Sequence, residues 1–176
     1  QRTNASQALT TNDGLAVTAI GGLGAAQTAG GSPIVTALVV FEGVAKMQLI
    51  TGDSATTNLQ MNTLPVATGT SAPLSLIVFK LGLGFVSPEG LRYIDGFGVV
   101  SDPVGDHGTG VTQPFLNAAH PSRITACANA DTIRSSVENT AGPGGTTFQE
   151  WDYDLGRKAW HGPHTFPFDQ CELWRN

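Results

Sequence analysis

This chain has little charge and no basic run. Only 13% of its 176 residues are Asp, Glu, Lys or Arg, against roughly 25% in an average soluble domain. Lys46 and Lys80 are the only lysines before Lys158, and the net charge is −5. Nucleic-acid binding needs clustered Lys and Arg to displace counterions, so no nucleic-acid partner is expected. An anionic membrane surface is disfavoured for the same reason. Long apolar runs are missing too. Ile34 to Phe41 is short, and Leu74 to Val86 is interrupted by Lys80, Gly82 and Gly84. A spanning helix needs about 20 apolar residues, so no membrane span is expected.

The first half also lacks the side chains that most often do chemistry. Every Trp, Tyr, His and Cys lies beyond residue 92. The two cysteines, Cys127 and Cys171, form an even count, and the chain begins at Gln1 rather than Met. Together these features predict a secreted, extracellular protein with one disulfide. The bridge would close a loop of roughly 45 residues and contribute roughly 4 kcal/mol in the chain-entropy model. Asn4-Ala5-Ser6 is an acceptor triplet for N-glycosylation at Asn4.

What remains is rich in Gly, Thr, Ser, Ala and β-branched residues, with Gly at 22 positions. Such a composition suits short strands and tight turns. Residues 1–14 read as an N-terminal arm or edge strand, and Gly14 to Gly31 as strand and turns. Ile34 to Phe41 reads as a strand buried on both faces. Val44 to Ile50 continues it past Gly43 as a bulge or a turn. Leu59, Met61 and Thr63 alternate with Gln60 and Asn62, the period of a half-exposed strand. Leu74 to Leu81, extended through Val86, reads as a second long strand, and Leu91 to Val100 as a third. Ser87-Pro88-Glu89-Gly90 is a turn.

Residues 101–122 form a long loop, and Arg123 to Ala128 a short strand. Asp131 is placed to cap a short helix through Asn139, with Ile133 and Val137 on one face. Thr146 to Gly162 reads as a hairpin turning at Asp154-Leu155-Gly156-Arg157, with Trp151 opposite Trp160 and Tyr153 opposite Lys158. The alternation of strand and turn predicts one all-β domain over residues 1–176. A β-sandwich or jelly roll with at most one or two short helices fits best.

Several groups of residues invite a functional assignment. Trp151, Tyr153 and Trp160 would share one strand face. Such a face can stack on sugars, anchor a protein partner, or simply fill a core. His161-Gly162-Pro163-His164 places two imidazoles in a loop. With His107, or with Asp102, Asp106 or His120, they would make a zinc or copper site; the competing role is as hydrogen-bonded surface residues. Asp102, Asp106, Asp152 and Asp154 sit in contexts that turn chemistry already explains. Asp106-His107-Gly108-Thr109-Gly110-Val111 resembles the His box of subtilisin-like proteases, and Gly69-Thr70-Ser71-Ala72-Pro73 resembles part of their Ser box. Here the serine precedes the histidine, the reverse of that family's order, and the chain is far shorter than its catalytic domain. Ser71 and His107 are therefore assigned to loops.

Sparse charge leaves strand edges poorly guarded against edge-to-edge association. The expected function is thus a structural, self-associating extracellular protein that needs no cofactor, its partners being further copies of itself or surface glycans. The alternatives are a carbohydrate-binding module using Trp151, Tyr153 and Trp160, and a small metal-dependent enzyme centred on His161, His164 and His107.

Overall fold

The computed structural model describes residues 13–24, 35–52, 59–104, 113–129, 131–139 and 147–165. These residues fold into strands that form three antiparallel sheets. The first sheet has the order β1 (Val17–Gly24), β2 (Val35–Glu42), β3 (Lys46–Thr51), β4 (Gln60–Thr63). The second is β5 (Ile77–Phe79), β6 (Gly82–Ser87), β7 (Gly90–Ile94). The third runs in reverse order, β11 (Ala159–His164), β10 (Thr147–Asp154), β9 (Thr132–Asn139), β8 (Thr125–Asn129). Helix is confined to Gln113–Leu116 and two single 3-10 turns among the described residues. No helix of the described residues is long and apolar enough to cross a membrane.

The second sheet is the middle layer. Side chains alternate between the faces of a strand, and β6 and β7 use both faces. Leu83, Phe85 and Ile94 join Ala19, Leu23, Val39, Phe41 and Met47 of the first sheet in one core. Ile77, Val86 and Leu91 join Ile133, Val137 and Tyr153 of the third sheet in another. Phe41 and Phe85 meet across the first interface with ring centroids 5.1 Å apart, a contact worth roughly 0.5–1.5 kcal/mol beyond its buried area. β1 lies directly on β6: a Cβ on Gly21 would sit 2.6 Å from Leu83 Cδ2.

Several elements differ from expectation. The long strand over Leu74 to Val86 is two strands, because the chain reverses at Lys80-Leu81 and Phe79 pairs with Gly82. Gly82 permits the reversal with a φ of +138°. β7 stops at Ile94, and a turn at Asp95–Gly98 brings Val100 back as a bridge to Ile94. β2 is not fully buried: Ala37, Val39 and Phe41 face the core while Leu38 is 41% exposed. Residues 131–139 are no helix. They form β9, flanked by β8 and β10, with Ile133, Ser135 and Val137 alternating inward. Three β-branched residues (Thr132, Ile133, Val137) and two flanking ladders outweigh a single capping residue.

The Thr146–Gly162 hairpin forms with a different register. Its loop is Leu155–Lys158, so Trp160 lies opposite Tyr153, His161 opposite Asp152 and Ala159 opposite Asp154. Over Asp152 to Asp154 the offset from the expected pairing is two residues, which keeps those side chains on their faces; the register then shifts, and Glu150 pairs with His164. Residues 1–12 of the expected arm, with the Asn4 triplet, lie outside the described residues, as do 105–112 of the long loop.

Gly82 gives a direct test of the close pairing of β6 and β7 within the middle sheet. A Cβ there would lie 1.9 Å from the Ile94 carbonyl oxygen on a positive φ. Gly82→Ala is expected to lose about 3 kcal/mol in urea denaturation. A loss below about 0.5 kcal/mol would mean that β6 and β7 do not approach this closely.

Candidate functional site

A cleft of about 260 Å³ opens between the middle and third sheets. Phe79 and Tyr93 wall it from the middle sheet, and Ile133 and Tyr153 from the third. Its side is closed by residues 101–104 and its rim carries Lys158 and Asp102. Strand alternation places these rings together. Phe79 shares the face of Ile77, and Tyr93 the face of Leu91, both toward the third sheet. Phe79 and Tyr93 meet edge to face with centroids 5.9 Å apart.

The walls are pinned by the backbone. Val104 N–H donates to the Leu91 carbonyl at 2.7 Å, and Ser101 N–H to the Tyr93 carbonyl at 2.8 Å. Leu155 N–H donates to the Asp131 carbonyl at 2.8 Å. Lys80 pairs with the Asp131 carboxylate, tying the middle sheet to the third. The Arg92 guanidinium donates to the Ser101 carbonyl at 2.7 Å and pairs with Glu89. Lys158 adopts a left-handed φ of 53° in the hairpin loop.

Tyr153 is the one member of the expected aromatic face that lines the cleft. It is 4% exposed. Burial raises its phenol above the ordinary value, and the neighbouring Tyr93 and Asp154 add to the rise. Trp160 packs into the second core with its ring centroid 5.0 Å from Tyr153 and 5.6 Å from Phe115. Its indole N–H donates to the Val104 carbonyl at 3.1 Å. Trp151 is half-buried against the same core, directly opposite Ser135. Its indole nitrogen and the Ser135 hydroxyl are both buried without a hydrogen-bond partner. Phe79, Tyr93 and Lys158 were not singled out from the sequence. The signal for the two rings was present: both sit on strands whose alternate residues are apolar and buried.

The described histidines stand elsewhere. His161 and His164 are exposed on β11. His164 Nε2 is 4.0 Å from Asp152 Oδ2, while Arg134 Nε holds both Asp152 and Glu150 at 3.3 Å. His107 and Asp106 lie outside the described residues. Among the described residues no three His, Cys, Asp or Glu side chains gather as a metal would need. His120 instead meets buried Glu138 at 3.0 Å, beside Arg123 at 2.8 Å. Asp102 is exposed at the cleft rim. Asp154 Oδ1 accepts from the Gly156 and Arg157 N–H groups at 2.8 and 2.9 Å, which lowers its pKa.

The Gly69–Pro73 segment has a packing role. Thr70 is fully buried and its hydroxyl donates to the Val86 carbonyl at 2.6 Å. A Cβ on Gly69 would sit 2.3 Å from the Gly43 oxygen. Cys127 is buried on β8, and Cys171 lies outside the described residues.

Tyr153 yields a prediction with a defined sign. Its raised pKa means that the folded protein holds the phenolic proton to higher pH than the unfolded chain. The associated stability is full below the ordinary value of 10.0 and is lost as pH rises toward the folded value. Urea denaturation is therefore expected to show stability falling above pH 10, with a smaller fall in Tyr153→Phe. At pH 7, Tyr153→Phe is expected within about 0.5 kcal/mol of wild type and Tyr153→Ala about 3–4 kcal/mol below it. Equal alkaline losses in wild type and Tyr153→Phe would contradict the assignment.

No protein-family model matches the chain, and no curated protein matches it in sequence.

Proposed function

We propose that this chain is a self-associating structural module that works outside the cell. The observation that carries the proposal is the apolar surface left uncovered. Phe97 is 93% exposed, Val99 62%, Ile20 59% and Val78 55%. Single exposed apolar residues are ordinary, but these come with unusually sparse charge. Ile20 and Leu38 are diagonal neighbours on the outer face of the first sheet, and Gly22 opposite Leu38 adds no side chain to cover it. Lys46 is paired with Asp13 and Glu42, and Lys80 with Asp131. The early lysines are thus engaged rather than standing free as charges that discourage association.

An oxidising location is supported by the even cysteine count, and we assign Cys127 and Cys171 to one disulfide. A sugar platform built from the three hairpin aromatics has less behind it. Trp160 packs on Phe115 and Tyr153, and its N–H is engaged by Val104.

Static light scattering tests the proposal. Apparent mass is expected to rise with concentration from micromolar upward, and to rise further in ammonium sulfate, which strengthens apolar burial. A constant monomer mass to millimolar concentration would overturn it. Thiol titration of the denatured protein is expected to count no free thiol before reduction and two after. Two thiols before reduction would remove the disulfide.

A further inference from the structure

We propose that Phe97 of one copy seats in the Phe79–Tyr93–Tyr153 cleft of a second copy. The contact rests on the self-association proposed above and names its site.

Phe97 is held ready for such a contact. The Asp95 carboxylate Oδ1 accepts the N–H groups of Phe97 and Val99, both at 2.9 Å. Gly98 N–H donates to the Asp95 carbonyl at 3.0 Å, and Asp95 N–H to the Val99 carbonyl at 3.0 Å. The turn rests on the first sheet, with Gly98 close enough to Leu49 that a Cβ would lie 3.3 Å from its Cδ2. An aromatic ring at the tip of a turn fixed by four hydrogen bonds loses little conformational entropy on docking. Exposed at 93%, it cannot be filling a cleft of its own chain.

The cleft has the matching properties. At about 260 Å³ it falls below the roughly 300–1,000 Å³ of sites for drug-sized ligands, a scale suited to one large side chain. Its aromatic walls offer edge-to-face contacts to a phenyl ring. A copy of this chain offers a fitting occupant, because it carries an exposed ring on a fixed turn. The rim bears both Lys158 and Asp102, so Asp95, two residues from Phe97, would orient the ring by lying toward Lys158 and away from Asp102. Opposite charges at the rim of a contact orient the encounter.

The test uses the full chain with the photoreactive residue p-benzoylphenylalanine at position 97. Light and ¹⁵N-labelled copies are mixed in equal amounts, irradiated, digested and read by mass spectrometry. Mixed-isotope adducts are expected from residue 97 to peptides carrying Phe79, Tyr93 or Tyr153. In light scattering, Phe97→Ser is expected to weaken association on the order of tenfold or more with no fall in melting temperature, since the side chain is solvent-exposed. Lys158→Glu should weaken it in the same direction. Adducts on β1 to β3, or wild-type association in Phe97→Ser, would overturn the Phe97 contact and leave self-association standing. A monomer without copy-to-copy adducts would overturn both.

Discussion

β6 has no exposed residue from Gly82 to Ser87, and it has two faces to cover. A single partner sheet would leave half of Leu83, Phe85 and Val86 in water. Fully burying one such side chain is worth roughly 1.5–3 kcal/mol, so the strand drives two interfaces rather than one. The first sheet takes the Leu83 and Phe85 face, and the third takes the Val86 face. The three-layer arrangement follows from that need. A small residue lets the first two layers close, because Gly21 admits Leu83, while inside the middle sheet Gly82 admits the Ile94 carbonyl of the neighbouring strand.

The cleft is a consequence of the same stacking. The middle sheet has three strands and each outer sheet has four, so the layers do not match in width. Phe79 and Tyr93 are half-buried, while Tyr153 on the longer sheet is almost fully covered. The gap between them is a cavity with aromatic walls. The turn that bears Phe97 grows from the same strand, β7, that supplies Tyr93. Knob and one wall of the cleft are therefore carried by the same strand.

Strand-and-turn patterning was legible in the sequence, and so was the all-β class. Ser87-Pro88-Glu89-Gly90 announced its turn, and the alternation at 59–63 announced β4. Three features were not legible. The Lys80-Leu81 reversal carries no Gly, Asn, Asp or Pro in its two loop residues, so the chain there reads as continuous strand; only Gly82 marks it. β9 was hidden by an Asp131 that imitates a helix cap beside Ile133 and Val137, whose four-residue spacing also fits a helix. Ladder partners decided between the two, and partners are tertiary information. The hairpin aromatics were correctly gathered onto one face, because a slip of two residues leaves the face unchanged. Their engagement with Phe115 and Val104, across about 40–60 residues of chain, left no local trace.

Hydrogen exchange of the native chain, resolved by residue, tests the shared middle layer most directly. If β6 belongs to both cores, its amides at residues 83–87 exchange only through global unfolding, and amides of β2 and β9 join the same slowest class. The first and third sheets then unfold in one transition. Faster, sub-global exchange in β6 beside two separately protected outer sheets would show two independent cores, and would contradict the layered account.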